Sequence, residues 1–208
     1  MRPRLALTAL LLLLLVVGTA VGLYAAARPG PAEHARASSP PAPPASMASS
    51  ARPPGFDEAF RALDLIKPPR QKVADDFALP TPTSTTFRLS EQRGKIVMIN
   101  FWATWCPPCL EEMPAMERLW RRHRDRGFVL VAISLDTDPK AVPPFLAQHK
   151  FTFAIALDRR MDVAEKYGVR VLPSSVFVDR EGVLAALALG PRAWDNQASH
   201  ALVDGLVR

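Results

Sequence analysis

The chain has 208 residues, a formal net charge of +6, 49% hydrophobic residues and only two cysteines. At roughly 100 to 200 residues per domain, this length allows one or two domains and excludes a large multidomain protein. The two cysteines, Cys106 and Cys109, can close only one tight loop. A scaffold held together by several disulfides is therefore excluded.

The positive charge is concentrated near the amino terminus. Residues 1–54 contain five arginines and one glutamate, which leaves 21 basic and 19 acidic residues, a net charge of +2, for residues 55–208. That balance is ordinary for a soluble domain, so we expect no nucleic-acid partner. A remaining basic cluster lies late in a predicted helix, where cations complement the negative end of the helix dipole. It consists of Arg118, Arg121, Arg122, Arg124 and Arg126.

Residues 1–27 have the features of a transmembrane signal anchor. No charged residue lies between Leu5 and Ala27, and Arg2 and Arg4 precede this apolar stretch. About 20 apolar residues suffice to cross the hydrocarbon core of a bilayer, and the flanking arginines favour a cytoplasmic amino terminus. We therefore expect a single-pass membrane protein whose remaining residues are exported. A cleaved signal peptide is the alternative, because residues 25–27 are all alanine, which suits a cleavage site.

The next two segments lead from the anchor to the folded domain. Residues 28–54 are rich in Pro, Ala and Ser, which predicts an extended linker without a core. In residues 55–71, apolar side chains from Phe56 to Ile66 recur at helical spacing until Pro68, which predicts a short amphipathic helix and a connector. We expect this helix to pack on the domain, with docking of a partner as the alternative.

Residues 72–208 alternate between predicted strands and helices. A short hairpin is predicted between Phe77 and Leu89. Further strands are predicted at 95–102, 128–134, 151–157, 174–178 and 183–189, and helices from about 106, within 139–149, at 161–167 and from about 194 to 206. This alternation predicts an α/β fold. The tight turn at 179–182 adds an antiparallel pair, so we expect a mixed central sheet flanked by helices.

Cys106 and Cys109 are the residues with the clearest chemistry. They flank Pro107 and Pro108 at the junction between a predicted strand and a predicted helix. The free amides and positive dipole end at the start of a helix stabilise a thiolate, and can lower the pKa of a cysteine from about 8.5 to roughly 3.5–7.5. We therefore predict that Cys106 attacks a substrate disulfide and that Cys109 resolves the mixed disulfide.

Other roles for the cysteine pair fit the sequence less well. A c-type haem site needs histidine after the second cysteine, where this chain has Leu110. A structural zinc site needs four ligands, and the nearest histidine, His123, lies at the far end of the predicted helix. A copper(I) site stays open, because Met113 and Met116 lie on the same helix and soft sulfur ligands suit that ion. An inert disulfide is also open, although so short a loop constrains the unfolded chain little.

Several motifs in residues 72–208 occur together in one known family. They are Gly94-Lys95, the run from Asn100 to Cys109, Glu112-Met113-Pro114, Tyr167-Gly168-Val169, Leu172-Pro173-Ser174, Asp179-Arg180-Glu181-Gly182 and Gly190-Pro191-Arg192-Ala193-Trp194. This combination resembles the TlpA/ResA-like family of membrane-anchored, thioredoxin-fold thiol-disulfide oxidoreductases. The resemblance implies a thioredoxin-like fold on the periplasmic side of the inner membrane.

The resemblance also implies an activity and partners. We expect the chain to reduce disulfides in exported client proteins, which in relatives include apocytochrome c and copper-delivery proteins for cytochrome oxidase. A membrane electron donor of the CcdA or DsbD type would recharge it, and no cofactor or metal is expected. A disulfide oxidase or isomerase is one alternative, because the Cys-Pro-Pro-Cys sequence does not fix the reduction potential. A copper(I)-binding chaperone is the other.

Two further residues acquire roles through this resemblance. Pro173 matches the family's cis-proline, which lies beside the cysteines and presents backbone to the substrate. Glu112 matches a glutamate thought to manage the proton of the active-site thiols, and it lies three residues after Cys109 on the same helical face. The alternative for Glu112 is an ordinary acidic residue in the first turns of a helix. Trp105, Pro107 and Pro108 are expected to support the active site.

The chain departs from related proteins at three places. Cytoplasmic thioredoxins have a buried aspartate where this chain has Asn100, so any proton acceptor must lie elsewhere. The cytochrome-maturation branch, CcmG, has a glutamate soon after the cis-proline, where this chain has Ser174 and Ser175. Peroxiredoxins have a threonine three residues before the reactive cysteine, where this chain has Ala103. These differences favour TlpA-like disulfide reduction over a dedicated CcmG role or peroxide reduction.

Overall fold

The structure, a computed structural model, describes residues 55–68 and 72–207. The predicted anchor at 1–27 and the predicted linker at 28–54 lie outside the described residues. Within the described part of the chain, no helix is both long enough and apolar enough to cross a membrane.

A five-stranded mixed sheet forms the centre of the domain. Its strands are β3 (Ile96–Trp102), β4 (Phe128–Ser134), β5 (Ala154–Leu157), β6 (Ser174–Val178) and β7 (Leu184–Leu189), in the spatial order β5-β4-β3-β6-β7. β3, β4 and β5 are parallel to one another, while β6 runs antiparallel to both β3 and β7. Every residue of β3 is buried, as its run of apolar residues, interrupted only by Asn100, predicts for a central strand. The predicted α/β fold with a mixed sheet is confirmed.

Helices and a small hairpin cover the two faces of this sheet. The helices are α1 (Phe56–Ala62), α2 (Pro107–His123), α3 (Val142–His149), α4 (Asp162–Lys166) and α5 (Gln197–Val207), and the hairpin joins β1 (Ala78–Pro80) to β2 (Thr86–Arg88). Because side chains alternate along β3, Met98 and Trp102 face the cluster that contains α1, α2, α3 and α5, whereas Val97 and Phe101 face the hairpin and α4.

Two predicted elements are shorter than the sequence indicated. The helix in the 55–71 segment ends at Ala62, and Ile66, assigned to its apolar face, instead exchanges backbone hydrogen bonds with Leu187 at the edge of β7. The strand predicted from Phe151 begins only at Ala154. Its expected start is diverted because the Thr152 amide donates to the Glu117 carboxylate, at 2.9 Å, rather than to a neighbouring strand.

The last helix also begins later than predicted. Trp194 precedes α5, which starts at Gln197, and Asn196 accepts a hydrogen bond from the Ser199 amide over 2.8 Å. Such a cap fixes where a helix begins. The segment between β7 and α5 is therefore a loop, and the buried Trp194 side chain points from it into the main core.

Candidate active site

The two cysteines lie where the central strand β3 passes into helix α2. Cys106 is the residue that caps the helix and Pro107 is its first residue, as expected where amides lack intrahelical partners. The cysteines form a disulfide with their Cα atoms 5.3 Å apart. Cys106 retains 5% exposure whereas Cys109 is fully buried, so an incoming thiol or disulfide would reach Cys106 first.

The residues around the disulfide differ in exposure. Trp105 is 67% exposed, a high value for so large an apolar side chain, while Pro107 is exposed and Pro108 is half-buried. Exposed aromatic side chains are favourable contacts for a protein partner. The structure therefore places all three predicted supporting residues on or near the surface beside Cys106.

Asp136 holds the loop that precedes the cysteines, a role that the sequence did not reveal. It follows β4, and its buried carboxylate accepts hydrogen bonds from the Thr104 amide at 3.1 Å, the Thr104 hydroxyl at 2.6 Å and the Ser134 hydroxyl at 2.7 Å. Parallel β3 and β4 end at the same edge of the sheet, which brings Asp136 to the loop after β3. An acidic residue two positions after the end of a buried strand was the available signal.

Pro173 lies at the same edge of the sheet as the cysteines. The Leu172–Pro173 peptide bond is cis, and Ser174 pairs with Phe101 in antiparallel register, which places Pro173 level with the end of β3. The Pro173 side chain is buried, its carbonyl accepts from the Gly190 amide at 2.9 Å, and the adjacent Val171 is 48% exposed. The topology thus brings the two motifs together although Pro173 lies 64 positions after Cys109 in the sequence.

Glu112 lies one turn beyond Cys109 in α2 and is only 5% exposed. Its carboxylate accepts hydrogen bonds from Asn100 Nδ2 at 2.8 Å, from Trp194 Nε1 at 3.0 Å and from the Arg192 amide at 3.1 Å. Asn100 Nδ2 also lies 3.0 Å from Ser175 Oγ on β6. A carboxylate with three donors and almost no contact with water is an unusual feature for an early-helix acid.

Burial and hydrogen bonding have opposite effects on the proton affinity of Glu112. Loss of hydration disfavours the charged form and is the larger effect, so the pKa of Glu112 is raised to about 7. The three hydrogen-bond donors and the nearby Arg192 guanidinium act in the opposite direction and lower this pKa. A group with this pKa can both take up and release a proton near neutral pH. Asn100, which stands where cytoplasmic thioredoxins have a buried aspartate, donates a hydrogen bond to the Glu112 carboxylate.

The methionines near the cysteines belong to the core. Met113 and Met116 are fully buried in the main cluster. His123 lies at the far end of α2, where its Nε2 atom is 3.0 Å from Nδ1 of His200. Over residues 55–68 and 72–207, no three His, Cys, Asp or Glu side chains are grouped closely enough to hold a metal ion. These positions give the copper(I) alternative no specific support.

Comparison with known proteins places the chain in a family. The profile described as the AhpC/TSA family matches residues 70–187, more than half of the chain. The chain belongs to the AhpC/TSA family. The chain is 33% identical over 119 residues to the thiol-disulfide oxidoreductase ResA of Bacillus thuringiensis, covering 57% of this chain and 69% of that relative. It is 32% identical over 135 residues to ResA of Halalkalibacterium halodurans, covering 65% and 76%.

The structure of this AhpC/TSA member also resembles solved structures. A DsbE-type thiol:disulfide interchange protein from Chlorobium tepidum superposes with a TM-score of 0.63 and 32% identity, covering 67% of this chain and 98% of that one. StoA from Bacillus subtilis superposes with a TM-score of 0.52 and 25% identity, covering 58% and 92%. The predicted thioredoxin-like fold and the predicted class, thiol-disulfide oxidoreductase of the ResA type, are confirmed.

Proposed function

We propose that this AhpC/TSA protein reduces disulfides in exported client proteins, using the Cys106–Cys109 dithiol on the periplasmic side of the inner membrane. The observation that carries this proposal is the disulfide at the start of α2 with the buried Glu112 one turn beyond it. Clients of the kind expected from the sequence are apocytochrome c and copper-delivery proteins. A membrane donor of the CcdA or DsbD type would return the oxidised pair to its dithiol form.

The reaction transfers two electrons in two exchange steps. The Cys106 thiolate attacks one sulfur of the client disulfide, which forms a mixed disulfide and releases the other client sulfur as a thiolate that takes up a proton. Cys109 then loses its proton and attacks Cys106 Sγ. This closes the Cys106–Cys109 disulfide and releases the client as a dithiol. The protein is oxidised and the client reduced by the same two electrons.

Glu112 is proposed to accept the proton that Cys109 must lose. Cys109 is fully buried, and burial in apolar surroundings disfavours a thiolate. A carboxylate with a pKa near 7, three residues further along the same face of α2, is matched to this task. Pro173 and the exposed Trp105 and Val171 are proposed to contact the client segment at the same edge of the sheet.

The reduction potential of the cysteine pair tests the proposed direction. Equilibration of the full-length protein in detergent against glutathione or dithiothreitol mixtures measures it. We expect a value near that of thioredoxin, about −270 mV, rather than near that of DsbA, about −120 mV. A value close to that of DsbA would overturn the reductase direction and support an oxidase, because such a pair passes its disulfide to clients.

The proposed location depends on residues 1–27. Their uncharged apolar stretch, preceded by two arginines, supports a single-pass anchor with an exported domain. We expect the full-length protein to stay in the membrane fraction after an alkaline carbonate wash, and its domain to be degraded by protease added to spheroplasts. Release by the wash would contradict the anchor, and protease protection in intact spheroplasts would contradict the periplasmic orientation.

A further inference from the structure

Arg192 connects Glu112 with the first helix of the described chain. Its backbone amide donates to Glu112 Oε2 at 3.1 Å. Its guanidinium donates to the carbonyl oxygens of Leu63, at 2.6 Å, and Asp64, at 3.1 Å, at the carboxyl end of α1. One residue therefore touches both the proposed proton acceptor and the segment that follows the predicted linker.

The guanidinium of Arg192 is held mainly by backbone carbonyls. Its side chain is 17% exposed, and it also donates to Leu189 O at 3.1 Å and to Pro191 O at 2.9 Å. The Asp64 carboxylate lies 3.2 Å away but is 96% exposed, so this ion pair contributes little. Cations are favoured at the carboxyl end of a helix. The end of α1 thus supplies two of the four carbonyl acceptors of the Arg192 guanidinium.

α1 is itself fixed by close packing on α5. Ala59 and Leu63 are buried on that side of the helix, and Gly205 of α5 lies beneath Phe56. A Cβ atom at Gly205 would lie only 2.5 Å from Phe56 Cδ2 and 3.2 Å from Phe56 Cβ, so a side chain there would push Phe56 away from α5. A substitution at Gly205 is therefore expected to disturb the packing of α1, which carries the carbonyls that bind Arg192.

Among the groups that face Glu112, Arg192 supplies the positive charge. Asn100 from β3 and Trp194 from the β7–α5 loop donate as neutral groups, and Cys109 lies one turn earlier on the same helix. A guanidinium near a carboxylate favours its ionised form. Displacing Arg192 would remove both that charge effect and an oriented backbone donor.

We propose that Arg192 is a positioning residue for Glu112 and that α1 holds Arg192 in place, so that the segment next to the linker sets how readily Glu112 takes up a proton. The inference rests on the proposed role of Glu112 in the reaction. It makes residues 55–64 part of the active-site support.

The test compares the pH dependence of disulfide reduction in variants of the full-length protein in detergent. The rate at which the reduced protein reduces oxidised glutathione is measured from pH 5 to 9. We expect Arg192→Met to move the midpoint of the profile upward by about half a pH unit or more. Arg192→Lys should give a smaller upward shift, since lysine retains the charge but lacks the planar fork. Arg160→Gln, which removes an exposed arginine paired with Asp162, is the matched control and should keep the wild-type midpoint.

A second variant tests α1 without changing any group that touches Glu112. Gly205→Val should displace Phe56 and move the midpoint in the same direction as Arg192→Met. Thermal unfolding identifies variants that fold, and Arg192→Lys decides the outcome if Arg192→Met does not fold. An unchanged midpoint in the folded Arg192 variants overturns the proposal, and an unchanged midpoint in Gly205→Val overturns the part assigned to α1.

Glu112→Gln distinguishes failure of this inference from failure of the proposed function. If Glu112→Gln removes the pH-dependent step while Arg192→Met leaves it unchanged, only the role of Arg192 is wrong. If Glu112→Gln keeps the wild-type profile, the proposed proton transfer fails, and the inference about Arg192 fails with it.

Discussion

Replacing Cys106 with serine should reduce disulfide exchange to the rate of the uncatalysed reaction, whereas replacing Cys109 with serine should stop the reaction after its first step. A serine hydroxyl stays protonated at neutral pH and cannot form the mixed disulfide, so Cys106→Ser lacks the attacking group. In Cys109→Ser the first attack still occurs, but nothing releases the client. Reduction of a peptide disulfide and mass spectrometry of the products measure both results.

The same pair of variants identifies clients in the cell. Cys109→Ser should accumulate disulfide-linked adducts that disappear on treatment with dithiothreitol, and Cys106→Ser should accumulate none. The double variant is the matched control, since it retains the surface with Trp105 and lacks both sulfurs. Adducts that form equally in Cys106→Ser would show that Cys109 attacks first, which would reverse the proposed roles despite the burial of Cys109.

The oxidised protein should become less stable by about 3 kcal/mol as the pH rises from below 4.5 to above 7, because of Glu112 alone. The pKa of Glu112 is raised from 4.5 to about 7 by burial, and each unit corresponds to about 1.4 kcal/mol. Between these values the folded state retains a proton that the unfolded state has lost. The free energy of unfolding therefore falls with increasing pH in this window and is constant, for this group, on either side.

The measurement is urea denaturation of the wild type and Glu112→Gln at several pH values between 4 and 8. The difference in unfolding free energy between the two proteins should change by about 3 kcal/mol over this range. His123 has the opposite influence, since burial lowers its pKa and its contribution to stability rises with pH, but it is present in both proteins and cancels. A constant difference would show that the pKa of Glu112 is the same in the folded and unfolded states, and would remove it as the proton acceptor.

The amide of Glu112→Gln introduces a constant cost that does not affect this comparison. Glutamine can accept hydrogen bonds through only one of its two terminal groups, so part of the donor set formed by Asn100, Arg192 and Trp194 loses its acceptor. An unsatisfied buried donor costs about 1–3 kcal/mol at any pH. The change with pH, rather than the absolute stability, therefore reports the titration.

Local sequence determined the main elements of the fold and the position of the cysteines. The bounds of β3 and β4 follow from the apolar runs that a central sheet requires, and β6 was predicted from Val176 to Val178 together with the two serines before them. The start of α2 follows from Pro107, because proline is favoured in the first turn of a helix. Cys106 and Cys109 are three residues apart, so their proximity is a local property. The same spacing rule placed Glu112 on the face of Cys109.

Contacts between distant residues decided what local patterns could not. Ile66 leaves its helical pattern because the edge of β7 offers backbone partners, and the strand at 151–157 is shortened because Glu117 binds the Thr152 amide. Two of the three donors to Glu112 come from Arg192 and Trp194, 80 and 82 residues further along the chain. The pKa of Glu112 depends on that enclosure. Sequence spacing could place the carboxylate on its helix, but only tertiary packing could exclude water from it and bring Arg192 and α1 to its side.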